Sequence, residues 1–121
     1  MKKILIVDDE PNIVMSLEYL FKKENFEVFI ARDGIEAIEI VENNMLDIIL
    51  LDIMMPKVDG YKVLKYLKDR EDFENIKVIF LSAKNKIKDI ELGLKLGADK
   101  YISKPFSTKN LIKEVKQLLK N

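Results

Sequence analysis

The stretch "IILLDIMMPKVDG", Ile48 to Gly60, sets a single carboxylate, Asp52, between four apolar residues and the triplet Ile53, Met54 and Met55. A charged carboxylate is costly to bury unless something pairs with it. A short unbroken apolar run reads as a strand buried on both faces, and Pro56 and Gly60 mark the loop that follows. Asp52 is then the first residue to emerge at the open end of a central strand. On this reading the apolar run positions the carboxylate without burying it.

Working outward, comparable runs recur along the chain: "KILIV" (Lys3 to Val7), "EVFIA" (Glu27 to Ala31), "DIILL" (Asp47 to Leu51), "KVIFL" (Lys77 to Leu81) and "DKYIS" (Asp99 to Ser103). The second to fourth are nearly continuous in hydrophobicity, which predicts burial on both faces of a parallel sheet. Helical patterns lie between them. Pro11 suits a first helical turn, with Ile13, Val14, Leu17, Leu20 and Phe21 as its apolar stripe. Asp33 and Glu36 have capping-box spacing ahead of Ile35, Ala37, Ile38 and Val41. Val63, Leu64 and Leu67 predict a helix over Gly60 to Lys68, and Ile87, Ile90 and Leu94 one over Lys86 to Leu96, stopped by Gly97. Ser107 caps a last helix with Leu111, Ile112, Val115, Leu118 and Leu119 inward. Five strands alternating with five helices predict a doubly wound α/β fold, a (βα)5 parallel sheet with helices on both faces. With no Pro/Gly/Ser-rich linker, residues 1–121 are expected to form one domain, and no second domain is expected.

Composition narrows the chemistry. Lysine plus arginine equals aspartate plus glutamate at 21 each, so no net field draws in nucleic acid. Cysteine is absent, which excludes disulfides, thiolate catalysis and zinc–thiolate sites. Histidine is absent as well, which excludes imidazole general bases, Ser-His-Asp triads and His-ligated metals. "MKKILIVDDE" starts like a signal peptide, but its apolar run ends at Val7 and meets two aspartates. No stretch approaches the roughly 20 apolar residues of a membrane span. A cytoplasmic location is expected, without direct membrane or nucleic-acid contacts.

In doubly wound sheets ligands bind beyond the carboxyl ends of the strands. After the first strand come Asp8, Asp9 and Glu10; after the third, Asp52; after the fourth, Ser82, Ala83 and Lys84; after the fifth, Lys104 and Pro105. The second delivers only Arg32 and Asp33. Converging carboxylates repel one another and need a cation. A small set of oxygen ligands suits Mg²⁺, which keeps several of its waters. A lysine ammonium and a hydroxyl beside them suit a phosphoryl group, and a carboxylate nucleophile needs no general base.

In "ILIVDDEP", "DIILLDIMMPKVDG", "FLSAK" and "GADKYISKPF", in that order and over essentially the whole chain, the sequence resembles the receiver (response regulator) domain of bacterial two-component signal transduction, chemotaxis-regulator-like. The resemblance implies a flavodoxin-like sheet of order 2-1-3-4-5. It also implies that Asp52 accepts a phosphoryl group from a sensor histidine kinase or a histidine phosphotransfer domain. Asp9, Asp52 and the backbone carbonyl of Met54 would hold Mg²⁺, with Mn²⁺ able to substitute, and Asp8 would act through water. Lys104 and Ser82 would bind the phosphoryl oxygens, Lys104–Pro105 would be a cis peptide, and Ser82 and Tyr101 would be the switch pair. The side chains of Met54 and Lys84 would set the phosphoryl lifetime. The switch would reshape the face formed by the fourth helix, fifth strand and fifth helix and so control an output partner or domain. The chain would catalyse only its own phosphorylation and dephosphorylation. Lacking histidine, it can only be the aspartyl side of such an exchange.

One departure concerns that face. Many DNA-binding relatives carry an acidic residue and an arginine that pair across a dimer; here those positions hold Lys100 and Glu114, with both signs reversed. Either the swapped pair keeps a dimer on phosphorylation or that mode is absent. Two other classes also use strand-end carboxylates or phosphate sites. A Mg²⁺-dependent aspartyl-nucleophile phosphatase normally has an acid-base aspartate two residues after the nucleophile, where this chain has Met54. A nucleotide-binding domain would need a Gly-rich loop after the first strand, where this chain has "DDEP".

Overall fold

In the computed structural model, which describes residues 1–120, the strands are β1 (Lys3–Val7), β2 (Glu27–Ala31), β3 (Ile48–Leu51), β4 (Lys77–Ser82) and β5 (Lys100–Ser103). The helices are α1 (Pro11–Lys23), α2 (Gly34–Asn43), α3 (Gly60–Lys68), α4 (Ile87–Lys95) and α5 (Thr108–Leu118). All strand pairs are parallel, and the sheet order is β2-β1-β3-β4-β5. The order reverses between β1 and β3, which face each other at Val7 and Leu51 at their carboxyl ends.

Strand alternation divides the core in two. Ile4, Ile6, Ile48, Leu50, Ile79 and Leu81 pack against Leu17 and Phe21 of α1 and Leu111 and Val115 of α5. Leu5, Val7, Ile49, Leu51, Val78 and Phe80 pack against Ala37 and Val41 of α2 and Val63, Leu64 and Leu67 of α3. Burying one leucine or isoleucine is worth about 1.5–3 kcal/mol, so these two layers hold the strand ends rigidly.

The N-cap signals at Asp33 and Ser107 hold. Asp33, Asp59 and Ser107 accept hydrogen bonds from the N–H groups of Glu36, Lys62 and Asn110. Glu36 reaches back to the N–H of Arg32 rather than to the capping residue itself.

Three readings need correction. β2 is an edge strand and mostly half-buried, while β1 joins β3 and β4 as the strands covered on both faces. Apolar continuity reported a strand but not its place in the sheet. Ile35 of α2 is exposed. In α4 the expected stripe is largely open to solvent, with Ile87 75% and Leu94 45% exposed. Gly93 is the buried residue there, set against the rings of Phe80 and Tyr101. A side chain-free position gives no periodicity signal, so the inward face of α4 could not be read from hydrophobic spacing.

Candidate functional site

Asp8, Asp52 and Lys104 each sit just beyond a strand, and the sheet's own hydrogen bonding extends one step to hold them. The N–H of Asp8 donates to Ala31 (3.1 Å), that of Asp52 to Val7 (2.9 Å) and that of Lys104 to Ser82 (2.8 Å). The backbone under the three chemical groups is therefore as fixed as the sheet. Lys104–Pro105 is cis.

Carboxylate oxygens of Asp8, Asp9 and Asp52 lie within 4.8 Å of one another. Lys104 Nζ lies 2.8 Å from Asp8 Oδ2, 3.2 Å from Glu10 Oε1 and 3.9 Å from Asp52 Oδ2. Asp8 Oδ1 also accepts from the N–H of Glu10 at 3.0 Å, and Asp52 Oδ1 receives a long contact from the N–H of Met54 at 3.4 Å. Asp52 is not the emergent residue expected from its sequence context. It is 4% exposed and Asp8 is 2% exposed, while Asp9 faces solvent. The neighbouring strand-end residues close over Asp52 because the register brings three loops to one point.

Burial pushes the Asp52 carboxyl up to about 6. Lys104 pulls it down, and Asp8 and Asp9 push it up further. Burial works against the Lys104 ammonium, but its bond to Asp8 and the charge of Asp52 hold its pKa above the usual lysine value. Three carboxylates served by one ammonium leave negative charge uncompensated, and a divalent cation is the natural complement. The donor set is oxygen only, with one member open to solvent, which fits Mg²⁺ with retained waters. Asp8, Asp9 and Asp52 could hold it, and the carbonyl of Met54 lies in the loop that leaves Asp52.

Ser82 is the last residue of β4 rather than the first beyond it, and is fully buried. Its Oγ accepts from the N–H of Lys84 at 3.2 Å. The half-buried Tyr101 in β5 donates its hydroxyl to the carbonyl of Lys84. A cleft of about 380 Å³ opens beside Asp9, Met54, Asp59, Tyr61 and Lys84, and one of about 400 Å³ beside Met54, Lys84 and Asp89. Met54, 56% exposed, and Lys84 line both.

Lys100 and Glu114 do meet, but within one chain, at 2.9 Å. Two site roles escaped the sequence reading. Glu10 is a second carboxylate partner of Lys104, although its place directly after Asp8-Asp9 was a usable signal. Tyr61, at the start of α3, lines the first cleft, and nothing in its helical spacing marks that. No described helix is long and apolar enough to cross a membrane.

Comparison with known proteins agrees with this arrangement. Residues 4–116 match the model of the response regulator receiver domain. The receiver domain of a Francisella response regulator is 36% identical, with 99% of this chain and 98% of that one covered at a TM-score of 0.92. A CheY-like receiver domain protein from Methanospirillum hungatei is 32% identical, with 98% and 94% covered at a TM-score of 0.91. The receiver domain of a sensor histidine kinase from Pseudomonas aeruginosa, with magnesium coordinated in its active-site cleft, is 28% identical, with 99% and 98% covered at a TM-score of 0.90. Receiver domains are phosphoacceptor switches of two-component systems rather than conventional enzymes, and the phosphatase alternative finds no support in these matches. With its sheet order, its strand-end carboxylates and its lysine all in place, the chain belongs to the response regulator receiver domain family.

Proposed function

We propose that Asp52 is the phosphoacceptor of a Mg²⁺-dependent switch, within a receiver unit spanning residues 1–121 of a cytoplasmic two-component system. The observation that carries this reading is the convergence of the Asp8, Asp9 and Asp52 carboxylates within 4.8 Å, beside the Lys104 ammonium. An oxygen of Asp52 attacks phosphorus in a phosphohistidine of a sensor kinase or phosphotransfer domain. The P–N bond breaks and its electron pair stays on the departing imidazole. Bound Mg²⁺ supplies charge neutralisation for the transferring group. Asp9, Asp52 and the Met54 carbonyl would hold the ion, and Asp8 would act on it through water.

The chain's own groups do the rest. Lys104, anchored by Asp8, presents a positive charge to one phosphoryl oxygen. The hydroxyl of Ser82 turns toward another, which releases the N–H of Lys84. That movement shifts the Lys84 carbonyl on which Tyr101 is fixed, so the α4–β5–α5 face responds. Ile87 and Leu94 give this face exposed apolar surface for an output partner or a second copy. A dimer that used Lys100 and Glu114 between chains would first have to open their intrachain pair. Met54 and Lys84, at the mouth of both clefts, govern access of the hydrolytic water.

Acetyl phosphate with Mg²⁺ should label Asp52 once per chain, and peptide mass spectrometry should find no label in Asp52→Asn. Sustained turnover of a small phosphate ester would count for the phosphatase alternative instead.

A further inference from the structure

The loop that follows Asp52 is fixed at both its base and its tip. At the base, the N–H of Gly60 donates to the carbonyl of Ile53 at 2.9 Å. A β-carbon on Gly60 would overlap the Asp52 carbonyl oxygen and lie 2.7 Å from the Cα of Ile53. At the tip, Lys57 holds a left-handed φ of 68°, uncommon for a side chain-bearing residue. Beside it, Val58 rests on the first residue of α2. A β-carbon on Gly34 would overlap the Val58 carbonyl oxygen and lie 2.7 Å from its Cβ. Gly97 alone among the described glycines has a positive φ, so the backbone at Gly34 forbids no side chain. Alanine is also the better helix former. Space alone requires glycine there, because Val58 occupies it with backbone, which cannot swing aside.

From this contact we infer that Gly34 is a positioning residue for the site. It seats the tip of the 53–60 loop on α2 and thereby fixes the Met54 carbonyl relative to the Asp8, Asp9 and Asp52 carboxylates. Asp33 assists, with its Oδ2 lying 3.7 Å from Lys57 Nζ while its Oδ1 caps α2. An added methyl at Gly34 lifts the loop tip, and the fixed base at Gly60 turns that lift into a rotation of the segment carrying Met54. The inference rests on the reading that the acidic cluster holds Mg²⁺, and it adds that α2, which offers no ligand, sets the geometry of one.

Isothermal titration calorimetry with MgCl₂ on the full chain tests it. Gly34→Ala should keep the wild-type circular dichroism spectrum and bind Mg²⁺ about tenfold more weakly, the scale seen when outer supports of metal ligands are lost. Phosphorylation by acetyl phosphate should need correspondingly more Mg²⁺ yet reach the wild-type rate at saturation. A folded Gly34→Ala with unchanged affinity overturns the inference. If Gly34→Ala does not fold, Val58→Gly decides, because it removes the Val58 side-chain atoms that rest on Gly34 and so loosens the seat of the loop tip while leaving its backbone. Weakened Mg²⁺ binding there supports the inference and wild-type binding overturns it. A wild-type chain that binds no Mg²⁺ overturns the underlying reading, whereas wild-type binding with unaltered variants overturns the inference alone.

Discussion

The hydroxyl of Tyr101 donates a 2.6 Å hydrogen bond to the carbonyl oxygen of Lys84, two residues beyond the buried Ser82. This one bond ties β5 to the β4–α4 loop. Burial pushes the phenol pKa up to about 12, so it remains a neutral donor across the working pH range. Tyr101→Phe keeps the ring against Phe80, whose centroid is 5.9 Å away, and removes only the bond. The expected cost is about 1 kcal/mol, read as a lower urea midpoint. A midpoint equal to wild type would mean the bond contributes nothing to the resting state.

Asp52 makes stability depend on pH. Its folded-state pKa of about 6 lies above the ordinary 3.8. Between those values the folded chain binds more protons than the unfolded one, so metal-free stability falls as pH rises through this window and stays lower above it. Asp52→Asn should therefore stabilise the chain in chelator by on the order of 2 kcal/mol above pH 7, with the gain vanishing below about pH 4. Urea titrations at the two pH values check this. Equal gains at both would show that burial of the charge is not the cause. Mg²⁺ should shrink the gain at neutral pH by relieving the same charge.

Lys104 is the sole ammonium within 4 Å of the Asp8 and Asp52 carboxylates among the described residues. Lys104→Ala strands two buried carboxylates, and removing one partner of a buried pair typically costs about 3 kcal/mol or more. The loss should be largest in chelator and smaller in saturating Mg²⁺, which replaces the missing charge. Thermal unfolding in both conditions measures it. A loss of equal size with and without the ion would mean Lys104 matters for packing rather than for charge.

Lys100 and Glu114 form a partly exposed pair within the chain. Such pairs are worth at most about 1 kcal/mol. Lys100→Glu should lower stability by about that much through carboxylate repulsion. The double exchange Lys100→Glu with Glu114→Lys should restore it. Sedimentation with a beryllofluoride mimic of the phosphoryl group reports on the second copy. If Glu114→Gln weakens self-association of the mimic-bound chain, the pair acts between chains after all.

The strands, the α/β class and the strand-end groups were legible because each is a local property. Ile48 to Leu51 are apolar whichever neighbours flank them; Asp8, Asp52 and Lys104 follow their strands in the linear order, and Ser82 ends its own. α4 was misread because its inward residue, Gly93, has no side chain to report its direction, while Ile87 and Leu94 report hydrophobicity without burial.

Which chemical groups stand at which strand ends follows from strand period and chain order alone, without reference to anything distant. How those groups come to share one point depends instead on packing between distant elements. The sheet register closes over Asp52 and buries it, and the arrival of β5 beside β4 sets Lys104 2.8 Å from Asp8 rather than directly on Asp52. It also joins Lys100 to Glu114 within the chain and sets Val58 on Gly34. Each of these contacts joins residues distant in sequence, and its distance depends on packing of the whole domain rather than on any local preference.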